Sequence, residues 1–242
     1  MKKMIRADQL LVLRGFFESR AKAQAAIDAG NVSADGVNVR KPSQPLAEDA
    51  QIVAIPAHPY VSRGALKLQA ALDHFGIDPR GRVCLDVGAS TGGFTELLIA
   101  RGAAKVYAVD SGTDQLHAKL RNDPRVVSLE QTDIRKLEEA AIPDDVALIV
   151  IDVSFISLEH VLPQALNFAA PHAELIALIK PQFEAGREHL KKGIVRDPEV
   201  HMAVCQRVEL LVGRQGWRLR GTIASPILGG DGNAEFLLYA EH

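Results

Sequence analysis

A glycine-rich segment follows a short apolar run near the middle of the chain. Residues 84–94 read Cys-Leu-Asp-Val-Gly-Ala-Ser-Thr-Gly-Gly-Phe. Glycines let a backbone approach a ligand closely, although a tight turn without a ligand would show the same residues. The spacing is not the G-x-G-x-x-G of dinucleotide sites. Asp86 beside the turn would repel a pyrophosphate but suits S-adenosylmethionine, which carries an ammonium and a sulfonium and no phosphate.

Aspartates also end the apolar runs that follow this segment. Asp110, after the second run, is placed to accept hydrogen bonds from a ribose diol, and Asp133, after the third, could bind an adenine amino group. A single aspartate at a strand end is usually a solvated cap, but three at successive strand ends favour a bound ligand. The combination predicts a methyltransferase. The predicted S-adenosylmethionine-binding residues are Asp86, Gly88, Ser90, Gly92, Gly93, Phe94, Asp110, Asp133, Asp152 and Phe155.

Lys180 and Asp152 end two later apolar runs, where they could activate a methyl acceptor. A ribose hydroxyl is a poor nucleophile at neutral pH and needs a base. Lysines have an ordinary pKa of about 10.4, so a lysine that acts as a base needs burial or a neighbouring cation. Spacing alone favours a solvated strand end at Lys180. Lys67 lies off the apolar stripe of a helix predicted over residues 62–75, which is typical of a solvent-facing side chain.

The elements that must position these residues alternate between short apolar runs and helical segments. This alternation predicts an α/β fold, a Rossmann-like doubly wound sheet whose strands are buried on both faces. Two final strands, near residues 217–224 and 235–239, have a short connection that suits antiparallel pairing. The other predicted strands cover residues 83–87, 105–109, 126–129, 147–151 and 175–179. The predicted helices cover residues 91–101, 114–120, 158–169 and 198–214.

The first sixty residues have the features of a separate small α+β unit. Helical spacing covers residues 7–14, and Ser19 is a good N-cap for a second helix that stops at Gly30. Strand-like pieces follow at residues 31–33, 37–39 and 51–55. An Asp-Gly turn joins the first two pieces, and prolines after the third suggest a stiff linker. The predicted domains are residues 1–57 and 62–242, with an interdomain linker over residues 58–61.

Composition narrows the class of protein. The formal net charge is −2, with 47% hydrophobic and 24% charged residues, as in a globular protein with a sizeable core. Residues 1–60 carry eight Lys/Arg against six Asp/Glu, a balance of +2, so the remaining residues carry −4. A mildly basic start on an acidic body is compatible with RNA contact through the N-terminal unit.

Cysteine and histidine usage predicts neither a metal site nor disulfides. Cys84 and Cys205 lack metal-ligand spacing, and the eight histidines are scattered. A reducing, cytoplasmic compartment is the expectation, and no apolar run is long enough to span a bilayer. Residues 186–193 form a loop rich in basic residues with a glycine at each end. A mobile flap over RNA and a plain surface loop are both open interpretations of it.

Six stretches, in order along nearly the whole chain, carry a family pattern. They are Val-Ser-Arg-Gly-Ala-Leu-Lys-Leu at 61–68, Asp-Val-Gly-Ala-Ser-Thr-Gly-Gly-Phe-Thr-Glu at 86–96, Arg-Asn-Asp-Pro-Arg-Val at 121–126, Ile-Asp-Val-Ser-Phe-Ile-Ser at 151–157, Ile-Lys-Pro-Gln-Phe at 179–183 and Gly-Asn-Ala-Glu at 232–235. With these the chain resembles the TlyA-type family, whose members are often labelled haemolysins and whose catalytic domain is similar to the FtsJ-like 2′-O-ribose methyltransferases. Its members methylate cytidine riboses in bacterial ribosomal RNA, which the resemblance implies here.

The resemblance also assigns roles to individual residues. The family's Lys-Asp-Lys-Glu tetrad falls on Lys67, Asp152, Lys180 and Glu235. It implies that Lys180 is the central base and that the other three tune or orient it. The N-terminal unit resembles a small RNA-binding domain named after a ribosomal protein, the S-four domain. That resemblance implies phosphate contacts, which position an RNA without reading its sequence. The residues predicted to make them are Arg6, Arg20 and Lys41.

Two other functions compete with this interpretation. A base-directed methyltransferase that modifies an amine usually has two prolines between a polar residue and an aromatic one, and Asp-Val-Ser-Phe at 152–155 has none. Carbon methylation of cytosine needs a nucleophilic cysteine, for which neither Cys84 nor Cys205 has a promising context. A membrane-active haemolysin needs a spanning segment or a basic amphipathic helix, and the sequence favours neither.

Overall fold

The computed structural model describes residues 3–229 and 232–242. The chain forms two compact units, Met1–Pro59 and Tyr60–His242. Met1 and Lys2, which begin the predicted domain 1–57, lie outside the described residues. The predicted boundaries at residues 57 and 62 stay predictions.

The N-terminal unit is an α+β structure with two short helices. Its elements are β1 (Met4–Arg6), α1 (Ala7–Leu13), α2 (Arg20–Asp28), β2 (Val32–Ala34), β3 (Val37–Asn38), β4 (Pro45–Ala47) and β5 (Ile52–Ala54). Ser19 caps α2 as predicted, because its Oγ accepts the Lys22 N–H at 3.3 Å. Asp35 and Gly36, both with positive φ, make the tight turn between β2 and β3. The antiparallel pair β1–β4 was not predicted, since three-residue strands carry no readable alternation.

The larger unit contains one mostly parallel sheet with helices on both faces. Its strands are β6 (Val83–Val87), β7 (Lys105–Val109), β8 (Val126–Leu129), β9 (Val146–Ile151), β10 (Ala169–Ile179), β11 (Arg218–Ala224) and β12 (Phe236–Glu241). Its helices are α3 (Gly64–Phe75), α4 (Gly93–Ala100), α5 (Ala118–Arg121), α6 (Leu158–Leu166), α7 (Pro181–Glu184) and α8 (Pro198–Arg214). Leu148, Ile149, Val150 and Ile151 of β9 are all 0% exposed, as expected for a strand covered on both faces.

The strand order across this sheet is β11-β12-β10-β9-β6-β7-β8. The five strands from β10 to β8 are parallel, and β12 pairs antiparallel with both β10 and β11. This confirms the predicted doubly wound α/β sheet and its antiparallel ending. The order reverses between β6 and β9, and open α/β sheets bind ligands in the crevice beyond the strand ends at such a switch point.

Three predicted elements differ from the structure. The helix expected over residues 114–120 is reduced to α5, because Asp114 has a φ of 51° and Glu130 Oε1 accepts the backbone N–H groups of Gln115 and Leu116. The helix expected to reach Ala169 ends at Leu166, since Ala169 pairs with β9 instead. The strand expected over residues 175–179 begins earlier, at Ala169, with a register shift that no apolar run signals.

Candidate functional site

Two cavities meet at the carboxyl ends of β6 and β9. The larger, of about 670 Å³, extends towards the ends of β7 and β8, and the smaller, of about 270 Å³, lies beside the start of α3. Both are lined by Gly88, Ser90, Asp152 and Ser154, so they form one groove. The groove therefore lies at the switch point of the sheet, with a volume in the range of small-molecule sites.

The glycine turn forms the floor of this groove. Gly88 has a φ of 84°, and its N–H donates to the Val109 carbonyl at 2.8 Å. A Cβ at Gly88 would lie 2.9 Å from the carbonyl carbon of Asp152 and closer still to its oxygen. Side chains of α5 and the preceding loop pack against Gly92, and Ser62 packs against Gly93. Close packing thus leaves no room for a side chain at any of the three glycines.

The larger cavity has carboxylates at successive strand ends, as predicted. Asp110 accepts the Ser90 N–H on Oδ2 at 2.8 Å and the Gly112 N–H on Oδ1 at 2.7 Å. A carboxylate has about four acceptor sites, so both oxygens can accept further hydrogen bonds. Asp133 caps the next turn and pairs with Arg135 at 2.6 Å. Backbone N–H groups of Ser90 and Gly112 thus hold the Asp110 carboxylate on the cavity wall, and Arg135 holds that of Asp133.

Phe155 stands at the rim of the larger cavity. Its backbone has a φ of 65°, which is unusual for a bulky residue, and the side chain is 90% exposed. The Phe155 ring centroid lies 5.0 Å from that of Phe183, the residue that follows Lys-Pro-Gln. Strained backbone is typical of functional sites, and here it presents an aromatic ring to solvent beside a polar groove.

The smaller cavity holds Lys180 at the end of β10. The Lys180 side chain is 9% exposed, and its Nζ lies 2.6 Å from Asp152 Oδ1 and donates to Ser154 Oγ at 2.8 Å. The solvated strand end that spacing favoured is wrong here. The parallel register of β9 and β10, with Ile151 beside Ala177, places the Asp152 loop alongside Lys180. Ser154 was missed, although it lies in the predicted Asp-Val-Ser-Phe stretch.

Lys67 is also buried, contrary to the solvent-facing position that its helical spacing indicates. Lys67 is 9% exposed, and its Nζ lies 2.5 Å from Glu235 Oε2. The cause is tertiary: α3 packs against β12, and Glu235 is the residue just before β12. Because Ile179 pairs with Phe236, the register also brings Glu235 opposite Lys180. The two lysines line one cavity, each with its own carboxylate.

Not every predicted ligand residue lines the groove. The predicted residues that do line it are Gly88, Ser90, Gly93, Phe94, Asp110, Asp133, Asp152, Phe155, Lys67 and Lys180. Asp86, Gly92 and Glu235 do not line either cavity, although Glu235 binds Lys67, which does. Arg63, exposed at the start of α3, lines the smaller cavity and was not predicted.

Asp86 is fully buried under the glycine turn. Its Oδ2 accepts a hydrogen bond from Thr95 Oγ1 at 2.6 Å, and its Oδ1 has no partner among the described residues. Burial raises the pKa of the Asp86 carboxyl to about 7, assisted by the negative charges of Asp152 and Asp110. The carboxyl therefore keeps its proton to a higher pH than a solvated aspartate does, which the sequence did not indicate.

We expect Asp86→Asn to change how stability depends on pH. With a folded pKa of about 7 against 3.8 for the free side chain, the folded state retains a proton that the unfolded state has lost. The wild type should therefore lose stability relative to the variant as pH rises from about 4 to about 7, by up to about 4 kcal/mol. Urea unfolding of both proteins across this pH range measures the difference in their unfolding free energies. Plots of unfolding free energy against pH that run parallel for the two proteins would contradict the raised pKa.

The N-terminal unit holds a fixed pair of arginines. Asp8 is 0% exposed and accepts Arg6 Nε at 3.0 Å, Arg20 Nη2 at 2.7 Å and Gln24 Nε2 at 2.9 Å. These two guanidinium side chains remain about half exposed. Lys41, the third predicted RNA contact, is exposed. Asp8 was missed because an isolated aspartate beside basic residues reads as a surface charge.

Both cysteines are poorly suited to nucleophilic catalysis. Burial raises the pKa of the Cys84 thiol to about 12 and that of Cys205 to about 11. A thiol, rather than the reactive thiolate, is therefore present at neutral pH. Among the described residues, no group of His, Cys, Asp and Glu side chains is arranged to hold a metal ion.

The sequence of the larger unit, which contains this groove, matches a known family. The model for the FtsJ-like methyltransferases matches residues 60–242, and the model for the S4 domain matches residues 5–52. The chain belongs to the FtsJ-like methyltransferase family. This confirms the predicted combination of a methyltransferase sheet with a small N-terminal domain of the S4 type.

FtsJ-like relatives match nearly the whole chain. The 16S/23S rRNA (cytidine-2′-O)-methyltransferase TlyA of Mycobacterium tuberculosis is 44% identical, over 99% of this chain and 90% of that protein. Hemolysin A of Brachyspira hyodysenteriae is 39% identical, over 97% of this chain and 99% of that protein. A solved structure from Streptococcus thermophilus, described as a hemolysin, is 40% identical with a TM-score of 0.79, over 100% of this chain and 89% of that one.

Proposed function

We propose that this protein methylates a ribose 2′-hydroxyl of ribosomal RNA, a cytidine by analogy with its relatives, with S-adenosylmethionine as donor. The observation that carries the proposal is the buried Lys180, held by Asp152 and Ser154 in the same groove as the glycine turn. The relative named as a cytidine-2′-O-methyltransferase, 44% identical to this chain, supports the substrate class.

The groove fits S-adenosylmethionine in size and in chemistry. The larger cavity of about 670 Å³ has apolar walls from Val87, Val109 and Ile134, which suit an adenine ring. Asp110 retains acceptor capacity for a ribose diol. Asp152 offers a carboxylate for an ammonium.

The chain's own residues would activate the acceptor. When bound, S-adenosylmethionine supplies an electrophilic methyl group on its sulfonium. Lys180 Nζ, in its neutral form, takes the proton from the ribose hydroxyl, so that the oxygen can attack in line. Asp152 and Ser154 hold the amine in place, and Asp152 then stabilises the ammonium that results. Lys67, fixed by Glu235, also lines the smaller cavity and positions the acceptor there.

The N-terminal unit is proposed to hold the RNA by its phosphates. Asp8 fixes Arg6 and Arg20 in one orientation while leaving half of each side chain exposed. A pre-organised arginine fork loses little side-chain entropy when it binds a phosphate. Lys41 adds a third exposed cation in the same unit. Such contacts position the enzyme and leave the choice of nucleotide to the groove.

A membrane-active role is the second candidate, because one relative is named Hemolysin A. In the part of the chain that the structure describes, no helix is long and apolar enough to cross a membrane. Lysis of erythrocytes by purified Lys180→Ala protein discriminates between the two roles. Lysis that survives this change would arise away from the methyl-transfer groove.

Methyl transfer from labelled S-adenosylmethionine to ribosomal subunits tests the proposal. The subunits come from a bacterium that lacks the modification, and subunits that already carry it are the control. We expect label in the ribosomal RNA of the unmodified subunits only. No label in either sample, with cofactor binding confirmed by calorimetry, would overturn the proposed substrate.

A further inference from the structure

A run of exposed cations follows Lys180 along the chain. We call residues 186–196 the basic loop; they contain four Lys/Arg and one acidic residue, Glu188. The four cations are all exposed: Arg187, Lys191, Lys192 and Arg196. The loop thus carries +3 in a unit whose formal balance is −4. A concentration of positive charge on an acidic body marks a surface suited to an anionic partner.

The cations of the basic loop have no acidic partners in the part of the chain that the structure describes. Among the described residues, none of the four makes an ion pair or a side-chain hydrogen bond. Elsewhere in the same unit most cations are neutralised locally, by pairs such as Arg82–Glu174, Arg101–Asp73 and Arg125–Asp123. Because these cations make no ion pairs among the described residues, binding a phosphate does not require an ion pair there to break.

The basic loop is fixed rather than free. Asn233 is 1% exposed, and its Oδ1 accepts the Val195 N–H at 3.0 Å while its Nδ2 donates to the Gly193 carbonyl at 3.1 Å. Lys191 and Ile194 close a two-residue turn with reciprocal backbone hydrogen bonds. Both lysines, 191 and 192, therefore stand on a closed and anchored turn. The mobile-flap interpretation of this loop is not supported by these contacts.

The same anchor places the basic loop next to the reacting groove. Asn233 precedes Glu235 by two residues, a reach of at most about 7 Å along the chain. Glu235 in turn holds Lys67 in the groove wall. At its other end the loop follows α7, which begins one residue after Lys180. The basic loop is therefore linked to the candidate site through α7 at its start and through Asn233 near its end.

We propose that the basic loop binds the sugar-phosphate backbone of the substrate RNA beside the target nucleotide, with Asn233 as the residue that positions it. This inference rests on the proposed ribosomal RNA substrate. The phosphates that flank the reacting ribose are the anions that must come closest to the groove mouth. The loop would give the larger unit its own contacts to the RNA backbone, in addition to the phosphate contacts proposed for the N-terminal unit.

Salt-dependent binding of the full-length protein to ribosomal subunits tests this proposal. The variant is Lys191→Gln/Lys192→Gln, and the matched control is Arg214→Gln/Arg218→Gln. The control cations are exposed and lie at the opposite end of the sheet, where β11 begins. Fluorescence titrations over about 50 to 200 mM salt give the affinity and its slope.

We expect the loop variant to bind about tenfold more weakly at low salt and to reduce the salt slope by about 1.5, with S-adenosylmethionine affinity unchanged. The control variant should behave as the wild type does. A loop variant that matches the control in affinity and slope would overturn the proposal, as would a wild type that binds no RNA. Wild-type protein that binds subunits without methylating them would instead contradict the proposed function, and the comparison of slopes would still decide the role of the loop.

Discussion

Replacing Lys180 by alanine should reduce methyl transfer by at least about 10²- to 10⁴-fold, the usual contribution of a positioned base. The affinity for S-adenosylmethionine should change little, because the larger cavity does not include Lys180. Single-turnover transfer to ribosomal subunits measures the rate of the chemical step, and calorimetry measures cofactor binding.

Two further variants test whether Lys180 acts as a base or only as a positive charge. Lys180→Arg keeps a cation beside Asp152, but a guanidinium stays protonated and cannot act as a base. We expect it to be as inactive as Lys180→Ala, and full activity would contradict the base assignment. Lys105→Ala is the matched control, because it removes a lysine that pairs with Asp144 at 2.7 Å, at the other end of the sheet. Its transfer rate should stay near that of the wild type.

Gly88→Ala should weaken cofactor binding and destabilise the protein while leaving the overall fold intact. The new Cβ would overlap the backbone of Asp152 and lie 3.2 Å from the Val153 Cα, in a residue with a φ of 84°. Backbone is not able to move aside as a side chain does. We expect a loss of about 2 to 5 kcal/mol in unfolding free energy and at least about tenfold weaker binding of S-adenosylmethionine.

Gly81→Ala is the control for the conformational part of this effect. Gly81 also has a positive φ, of 71°, but nothing lies within 4 Å of the Cβ that alanine would add. The unfolding free energy of Gly81→Ala should fall by only about 1 to 2 kcal/mol, the cost of an alanine in the left-handed region. The variant should bind the cofactor normally. Equal losses in both variants, by denaturant titration and calorimetry, would show that close packing at Gly88 is unimportant.

Much of the larger unit could be predicted because its central strands are buried on both faces. Such strands appear in the sequence as short apolar runs, and β6 and β7 begin and end where those runs do. The residue after each strand is then placed at one edge of the sheet by topology alone. That is why Asp110 and Asp152 were found near the glycine turn before any contact was known.

The remaining features depend on contacts between distant residues. Lys67 reads as solvent-facing on its helix, and its partner Glu235 lies 168 residues later. Asp86 reads as a strand-end ligand, but the turn after it covers the carboxyl, so it is 0% exposed. The sequence around Asp8 does not indicate that its carboxylate will bind two arginines. In each case burial of a charged group is decided by tertiary packing, which periodicity does not encode.

The position of the transferred methyl group shows whether the protein modifies the ribose or the base. Ribosomal RNA methylated by the wild-type protein would be digested to nucleosides, and mass-spectrometric fragmentation would assign the added mass to the sugar or to the base. We expect a cytidine that carries the methyl group on its ribose, because a lysine held by Asp152 and Ser154 suits a hydroxyl acceptor. A methyl group on the base, with the ribose unmodified, would contradict it.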